Sequence, residues 1–247
     1  MHEVATEPFV PRQTNTGLYV QLHNSGFTGN DIEHAQSAYR LACRLFNGRY
    51  RKTERAFICH AVGAASSVAR FDSRLCMVLA AMLHAAYDSG QFPDGRIGRP
   101  SPQHRKWLTG HVGEEVESIL FRYRNFGFER GAPERYLREG YDESDRDLLF
   151  MALAHEVDDM VDIGLRFAPK YGRSIESRVE ACGTLADRIG KPELAATLRA
   201  HGSLYEGANW VDDHKSTTLR GFHIVPNAMA YFRHRFNHYR GKSVELH

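Results

Sequence analysis

The chain is short of cysteine, of net charge and of long apolar runs, and each shortage removes a class of protein. Among its 247 residues there are four cysteines, Cys43, Cys59, Cys76 and Cys182, with no C-x-x-C spacing. Neither a disulfide scaffold nor a cysteine-based zinc or redox motif is expected, and the four read as reduced, mostly buried thiols. The formal net charge is +2, from 32 Lys and Arg against 30 Asp and Glu, which argues against a nucleic-acid-binding surface as the main activity. The longest apolar run, residues 75–83, is far below the about 20 residues that cross a bilayer. The first 17 residues lack the basic start and apolar centre of a signal peptide. No internal repeat or low-complexity tract occurs, and no strand pattern competes with the helical ones over more than a few residues. The expectation is a soluble, cytoplasmic, all-α protein with no nucleic-acid partner and no membrane partner.

What is present is helical periodicity. Asn30 or Asp31 can cap a helix running to residue 47, with Ile32, Ala35, Ala38, Tyr39, Ala42, Leu45 and Phe46 on its apolar face and Gly48 as its stop. A basic loop, 49–55, leads to an alanine-rich helix over about 61–71. Asp72 then offers N-cap chemistry to a helix over 73–87 that is apolar nearly all round and therefore buried. Residues 90–102, rich in proline and glycine, form a loop. Ser101-Pro102 opens a helix broken near Gly110 or Gly113, residues 127–141 read as irregular, and further helices are expected over 147–167, 175–189 and 191–200. The division expected is an N-terminal arm (1–30), a helical domain (31–200) and a C-terminal extension packed on it (201–247).

His60 and His84 lie near the ends of the two alanine-rich segments, 84 − 60 = 24 residues apart. Two antiparallel helices joined by a short turn would bring these rings together. The stretch Arg51-Lys52-Thr53-Glu54-Arg55-Ala56-Phe57-Ile58-Cys59-His60, followed by Ala80-Ala81-Met82-Leu83-His84-Ala85-Ala86-Tyr87-Asp88-Ser89, resembles the HD superfamily. It is most similar to the hydrolase domain of the RelA/SpoT (stringent-response) proteins, which reads R-K-S-G-E-P-Y-I-x-H and then A-A-L-L-H-D-x-x-E-D. The similarity extends loosely to about residue 200. The departure is at Ala85, where the family carries the aspartate of its His-Asp pair.

The resemblance implies an HD-like helical bundle holding a divalent metal (Mn, Fe or Zn) that polarises a phosphoryl oxygen and activates water. Position by position, His60 and His84 match the two histidine ligands. The segment Ala152-Leu153-Ala154-His155-Glu156-Val157-Asp158-Asp159-Met160 matches the family's K-L-A-D-R-L-H-N-M, which puts His155 at the last ligand position and Asp159 at the asparagine. The implied metal set is His60, His84 and His155 with Asp158. Asp88, matching the first residue of the family's acidic pair, and Glu156 are the catalytic candidates for orienting water. Arg51 and Lys52 match the pair that holds base and phosphate, and Tyr87 and Asp159 complete the substrate-binding candidates. Two readings stand. One is a metal-dependent phosphohydrolase with an altered site, acting on a phosphorylated or nucleotide-like small molecule. The other is a catalytically degenerate HD domain that binds a small molecule or regulates, in either case as a monomer or a homo-oligomer.

Overall fold

A computed structural model describes residues 8–51, 55–98, 100–129, 131–161 and 178–207. It is an all-α bundle: α1 Asn15–Asn24, α2 Gly29–Phe46, α3 Phe57–Phe71, α4 Leu75–Leu83, α5 Ala86–Ser89, α6 Pro102–Asn125, α7 Ala132–Glu139, α8 Arg146–Met160, α9 Val179–Arg188 and α10 Pro192–Gly207. Among the described residues the only β pairing is two isolated bridges, Tyr50 with Ala56 and Gln91 with Ile97. No helix among them is long and apolar enough to cross a membrane.

The bundle is organised on α3. Residues 60–69 are buried all round, and they are His, Val and otherwise only Ala, Gly and Ser. Side chains this small let neighbouring backbones approach closely, and α3 packs on α4 and α8 as well as on α1 and α2. The turn between α3 and α4 is pinned to the start of α8 by Arg74, whose guanidinium bonds both oxygens of Asp147 at 2.8 Å. Asp72, expected as the N-cap of the next helix, instead ends α3, and its Oδ1 accepts from the Arg74 amide at 2.8 Å. The helix expected over 73–87 therefore starts at Leu75, and it breaks at His84–Ala85 into α4 and the short α5.

Other boundaries moved for local reasons. Thr28, rather than Asn30 or Asp31, caps α2, and Asp31 closes a reciprocal capping box with it. The expected break in α6 falls at Gly113, whose φ of 82° only glycine adopts cheaply. Within 127–141, read as irregular, Pro133 opens α7 instead. The helix expected over 147–167 runs to Met160 with Val161 as its C-cap, and residues 162–167, like residues 208–247 of the C-terminal extension, lie outside the described residues.

The N-terminal arm is laced into the body. Its later residues form α1, capped by Thr14. Ahead of α1, the Phe9 carbonyl accepts from His201 Nε2 of α10 at 2.7 Å, and the Phe9 ring packs edge-on to Phe71 at 6.0 Å. The Arg12 amide donates to Ser66 Oγ at 2.8 Å, and Gln13 Nε2 donates to Asp158 Oδ1 at 3.0 Å. Residues 9–13 thus tie α3, α8 and α10 together.

Candidate metal centre

His60 stands in the first turn of α3, His84 just past the end of α4, and His155 in the last half of α8. Packing of α3 on both other helices brings the three rings together, with centroids 5.0 Å (His60–His84), 4.6 Å (His60–His155) and 4.7 Å (His84–His155) apart. They meet nearly at right angles, and they face one another through the same atom. His60 Nε2 is 3.3 Å from His84 Nε2 and 2.9 Å from His155 Nε2. Two nitrogens bound tetrahedrally to one zinc-sized ion at 2.0–2.1 Å would stand about 3.3–3.4 Å apart. The spacing is therefore close to that of a coordination shell before any ion arrives.

The far edge of each ring decides which nitrogen is free. His60 Nδ1 is 2.7 Å from Asp158 Oδ2, and His84 Nδ1 is 2.8 Å from the Ala81 carbonyl oxygen. Both oxygens are acceptors, so an Nδ1–H on each ring would satisfy them and turn the Nε2 lone pairs inward; at His60 the Arg51 guanidinium, itself a donor, also lies 3.0 Å from that Nδ1. His155 Nδ1 has Asp159 Oδ2 at 3.9 Å, too long for a hydrogen bond. His155 Nε2–H can then donate to the His60 lone pair, or both can turn on a cation.

Behind the imidazoles lies a layer of buried charge. Asp158 receives Gln13, His60 and the Arg55 guanidinium; Asp159 receives Arg51. Glu156 is held by Arg178 through both its oxygens, at 2.6 and 2.7 Å. All three carboxylates are 0–3 % exposed. Close packing makes this possible at Gly63, one turn after His60. A Cβ there would overlap the Asp158 carboxylate and come within 3.0 Å of Gln13 Nε2.

The electrostatics follow from burial. Desolvation, seconded by the charge of Arg51, pushes all three imidazoles down: His84 to about 4, His155 to about 3, and His60 well below its ordinary value. All three are therefore neutral at neutral pH, the state in which a nitrogen can bind a metal. Burial raises the Glu156 carboxyl in spite of Arg178, and it raises Asp158 in spite of Arg55. For Asp159 burial pulls upward too, but His155 and Arg51 outweigh it and the carboxyl is held low. Since His155 is uncharged near neutrality, Arg51 is the partner that keeps Asp159 ionised there.

The buried histidine and aspartate groups could hold a metal ion. The ligand atoms of His60, His84 and His155 lie within 4.8 Å of one another, as do those of His60, Asp158 and Asp159, and of His155, Glu156 and Asp159. The second and third sets already contain guanidinium partners, whereas the three Nε2 atoms do not.

The remaining expected residues part company. Asp158, expected as a ligand, touches the proton-bearing edge of His60 and orients it from behind. Arg51, expected to face a base or phosphate, is turned inward with its side chain 9 % exposed, against Asp159 and 3.0 Å from His60 Nδ1. Asp159, expected on the substrate, is its partner. Glu156, expected to orient water, is occupied by Arg178 on the same buried side. Asp88, the other water-orienting candidate, points to the surface, 54 % exposed and 3.2 Å from Arg124. Tyr87 is fully buried on Phe92 and donates to Glu117 Oε1 at 2.5 Å, away from the imidazoles. Lys52 lies outside the described residues.

Sequence reading missed four contributors. Arg55 pairs with the charge of Asp158 and Gln13 donates to it, Arg178 pairs with Glu156, and Tyr123 of α6 packs edge-on to the His84 ring with centroids 6.3 Å apart. Of these only Arg55 had a signal, its place in the basic loop; the others are brought in by segments far away in the chain. Compared with protein-family models and with curated proteins, the chain matches none of them.

Proposed function

We propose that the protein is an HD-like, metal-dependent phosphohydrolase whose site is remodelled to three histidines, acting on a phosphorylated or nucleotide-like small molecule. The observation that carries the reading is the convergence of three neutral imidazoles on one point through Nε2, two of them with the opposite nitrogen already committed to an acceptor. Lone pairs aimed at one another repel unless a cation or a shared proton lies between them, and three nitrogens with room for further ligands suit zinc, manganese or iron. A bound divalent ion would supply Lewis-acid polarisation of a phosphoryl oxygen and a more acidic water.

The chain's own residues do the rest. Asp158 fixes the tautomer and plane of His60, and Gln13 and Arg55 fix Asp158. The Ala81 carbonyl does the same for His84. Phe57, stacked near His84 at 6.2 Å and edge-on to His60 at 5.3 Å, covers one side and keeps bulk water off the rings. The small-molecule partner would approach where His84 and His155 keep their exposed edges.

A second reading has its own support. Ala85 removes a carboxylate from the family pattern, and Asp158, Asp159 and Glu156 each hold a guanidinium, so none is left over as a general base. The site would then serve as a binding or regulatory module. Metal content of protein purified without added metal, measured beside His84→Ala, tests the centre: stoichiometric Zn, Mn or Fe that is lost in the variant is expected, and a metal-free wild type refutes it. A screen of nucleotides and sugar phosphates with the loaded protein then separates the readings, turnover marking the enzyme and saturable binding without turnover the module.

A further inference from the structure

Residues 8–13 belong to no helix, so what holds them must come from the elements they cross. Three contacts only fasten the segment. The Phe9 carbonyl accepts from His201 Nε2 at 2.7 Å, the Phe9 ring packs edge-on to Phe71, and the Arg12 amide donates to Ser66 Oγ at 2.8 Å. The fourth reaches the imidazoles. Asp158 Oδ2 meets His60 Nδ1 and the Arg55 guanidinium, whereas Oδ1 receives Gln13 Nε2, its one hydrogen bond among the described residues. Gly63 leaves the space for this, since a Cβ there would overlap Oδ1 and stand 3.0 Å from Gln13 Nε2. The Gln13 carboxamide thus closes one side of the slot that holds Asp158.

Gln13 gains little for itself in this position. Its Oε1 is buried and makes no hydrogen bond among the described residues. Turned the other way, the amide would set that oxygen against a carboxylate, so the acceptor stays bare for the sake of the bond to Asp158. Were the segment to lift, Oδ1 would face an emptied slot. The carboxylate could then turn toward Arg55 or toward entering water, and either movement loosens its hold on His60 Nδ1.

We infer that residues 9–13 are a latch on the metal centre, seated when an ion is bound and released more readily without one, with Gln13 as the positioning residue that links the two. The inference rests on the three-histidine reading above and adds to it a dependence on the N-terminal segment. The linkage runs both ways: a seated segment tightens the ion, and the ion holds the segment down by the same factor. The anchors at Phe9 and Ser66 therefore matter to the ion, although among the described residues neither bonds to or stacks on an imidazole of the centre.

The test uses the full chain and cobalt(II) as a visible probe ion. Amide hydrogen exchange is followed by mass spectrometry in peptides covering residues 8–18, with α7 as a reference, and cobalt affinity is titrated by its d–d band. Cobalt is expected to slow exchange in the segment about 5-fold or more, the low end of the usual span of site–site coupling, and to leave α7 unchanged. Phe9→Ala and Ser66→Ala, acting through separate anchors, should each speed exchange in the segment and weaken cobalt by about 5-fold. Val10→Ala, on the same segment with its side chain in solvent, should do neither. Gln13→Met, which keeps the length but not the donor, should weaken cobalt and make it insensitive to Phe9→Ala; losses that simply add overturn the part given to Gln13. Equal cobalt affinity in wild type, Phe9→Ala and Ser66→Ala, with exchange indifferent to cobalt, overturns the latch and leaves the metal centre standing. A wild type that takes up no cobalt overturns the metal centre and the latch with it.

Discussion

Gly63→Ala is the sharpest perturbation, because ordinary helix energetics predict the opposite of what the packing predicts. In a helix interior alanine is better than glycine by roughly 1 kcal/mol. At Gly63 the added methyl would overlap the Asp158 carboxylate and crowd Gln13 Nε2. Either the helices part, at a cost of about 1–3 kcal/mol for overpacking, or Asp158 swings off and leaves Arg55 and His60 short of their acceptor, at about 3–5 kcal/mol for a broken buried pair. Against the helix gain the net loss is about 0–2 kcal/mol if the helices part and about 2–4 kcal/mol if Asp158 swings off, a fall in Tm of up to very roughly 16 °C for a chain of this size. The matched control is Gly110→Ala, on the exposed face of α6 with nothing within 4 Å of its Cβ, which should be neutral or slightly stabilising. Thermal and urea unfolding of the two variants beside wild type give the answer. A Gly63→Ala protein that rises in stability alongside Gly110→Ala would refute the account of Asp158 as packed flat on α3.

Asp158→Asn keeps the shape but loses the charge that fixes His60, and metal affinity in a dye-competition assay should drop about 10- to 100-fold. Gln13→Ala should weaken the metal in the same assay by a smaller factor, since Arg55 still holds Asp158. Arg178→Met leaves Glu156 buried without its cation and should cost about 3–5 kcal/mol in urea unfolding at neutral pH, less as the pH is lowered and the carboxyl takes a proton. For the ion-free protein, His60, His84 and His155 bind protons more readily unfolded than folded. Their contribution is complete above the ordinary histidine pKa of about 6.5 and is lost as pH falls toward 4. At pH 5 the loss is at most about 2 kcal/mol per histidine, and less for His84 and His155, whose edges reach water. Glu156, shifted upward, acts in the other direction over pH 4.5–7, but it is one group against three. Stability that stays flat from pH 7 to pH 5 would contradict the neutral-imidazole picture.

Much of the bundle was legible because its signals are local. The apolar stripe of α2, the small-residue run of α3 and the glycine at the α6 kink each act within a turn or two of chain. His60 and His84 were legible through their spacing and His155 through its segment. What lay beyond reading was the direction of charged side chains. Arg51 looks like a ligand contact in a basic loop, yet a buried Asp159 more than a hundred residues away claims it. Asp88 and Tyr87 sit on the next turn after His84, but the helix breaks at Ala85, and in α5 Asp88 faces Arg124 at the surface while Tyr87 bonds Glu117. Asp72 satisfied every rule for a cap and was taken by the turn instead, because Arg74 offers it both an amide and a guanidinium.

The lacing of residues 9–13 has a bearing on how the molecule matures. Gln13 reaches across 145 positions to Asp158, and Phe9 across 192 to His201. Contacts that distant close late, since so much chain must first find its place. The contacts among α3, α4 and α8 can therefore bring His60, His84 and His155 together before Gln13 has reached Asp158 and Phe9 has reached His201.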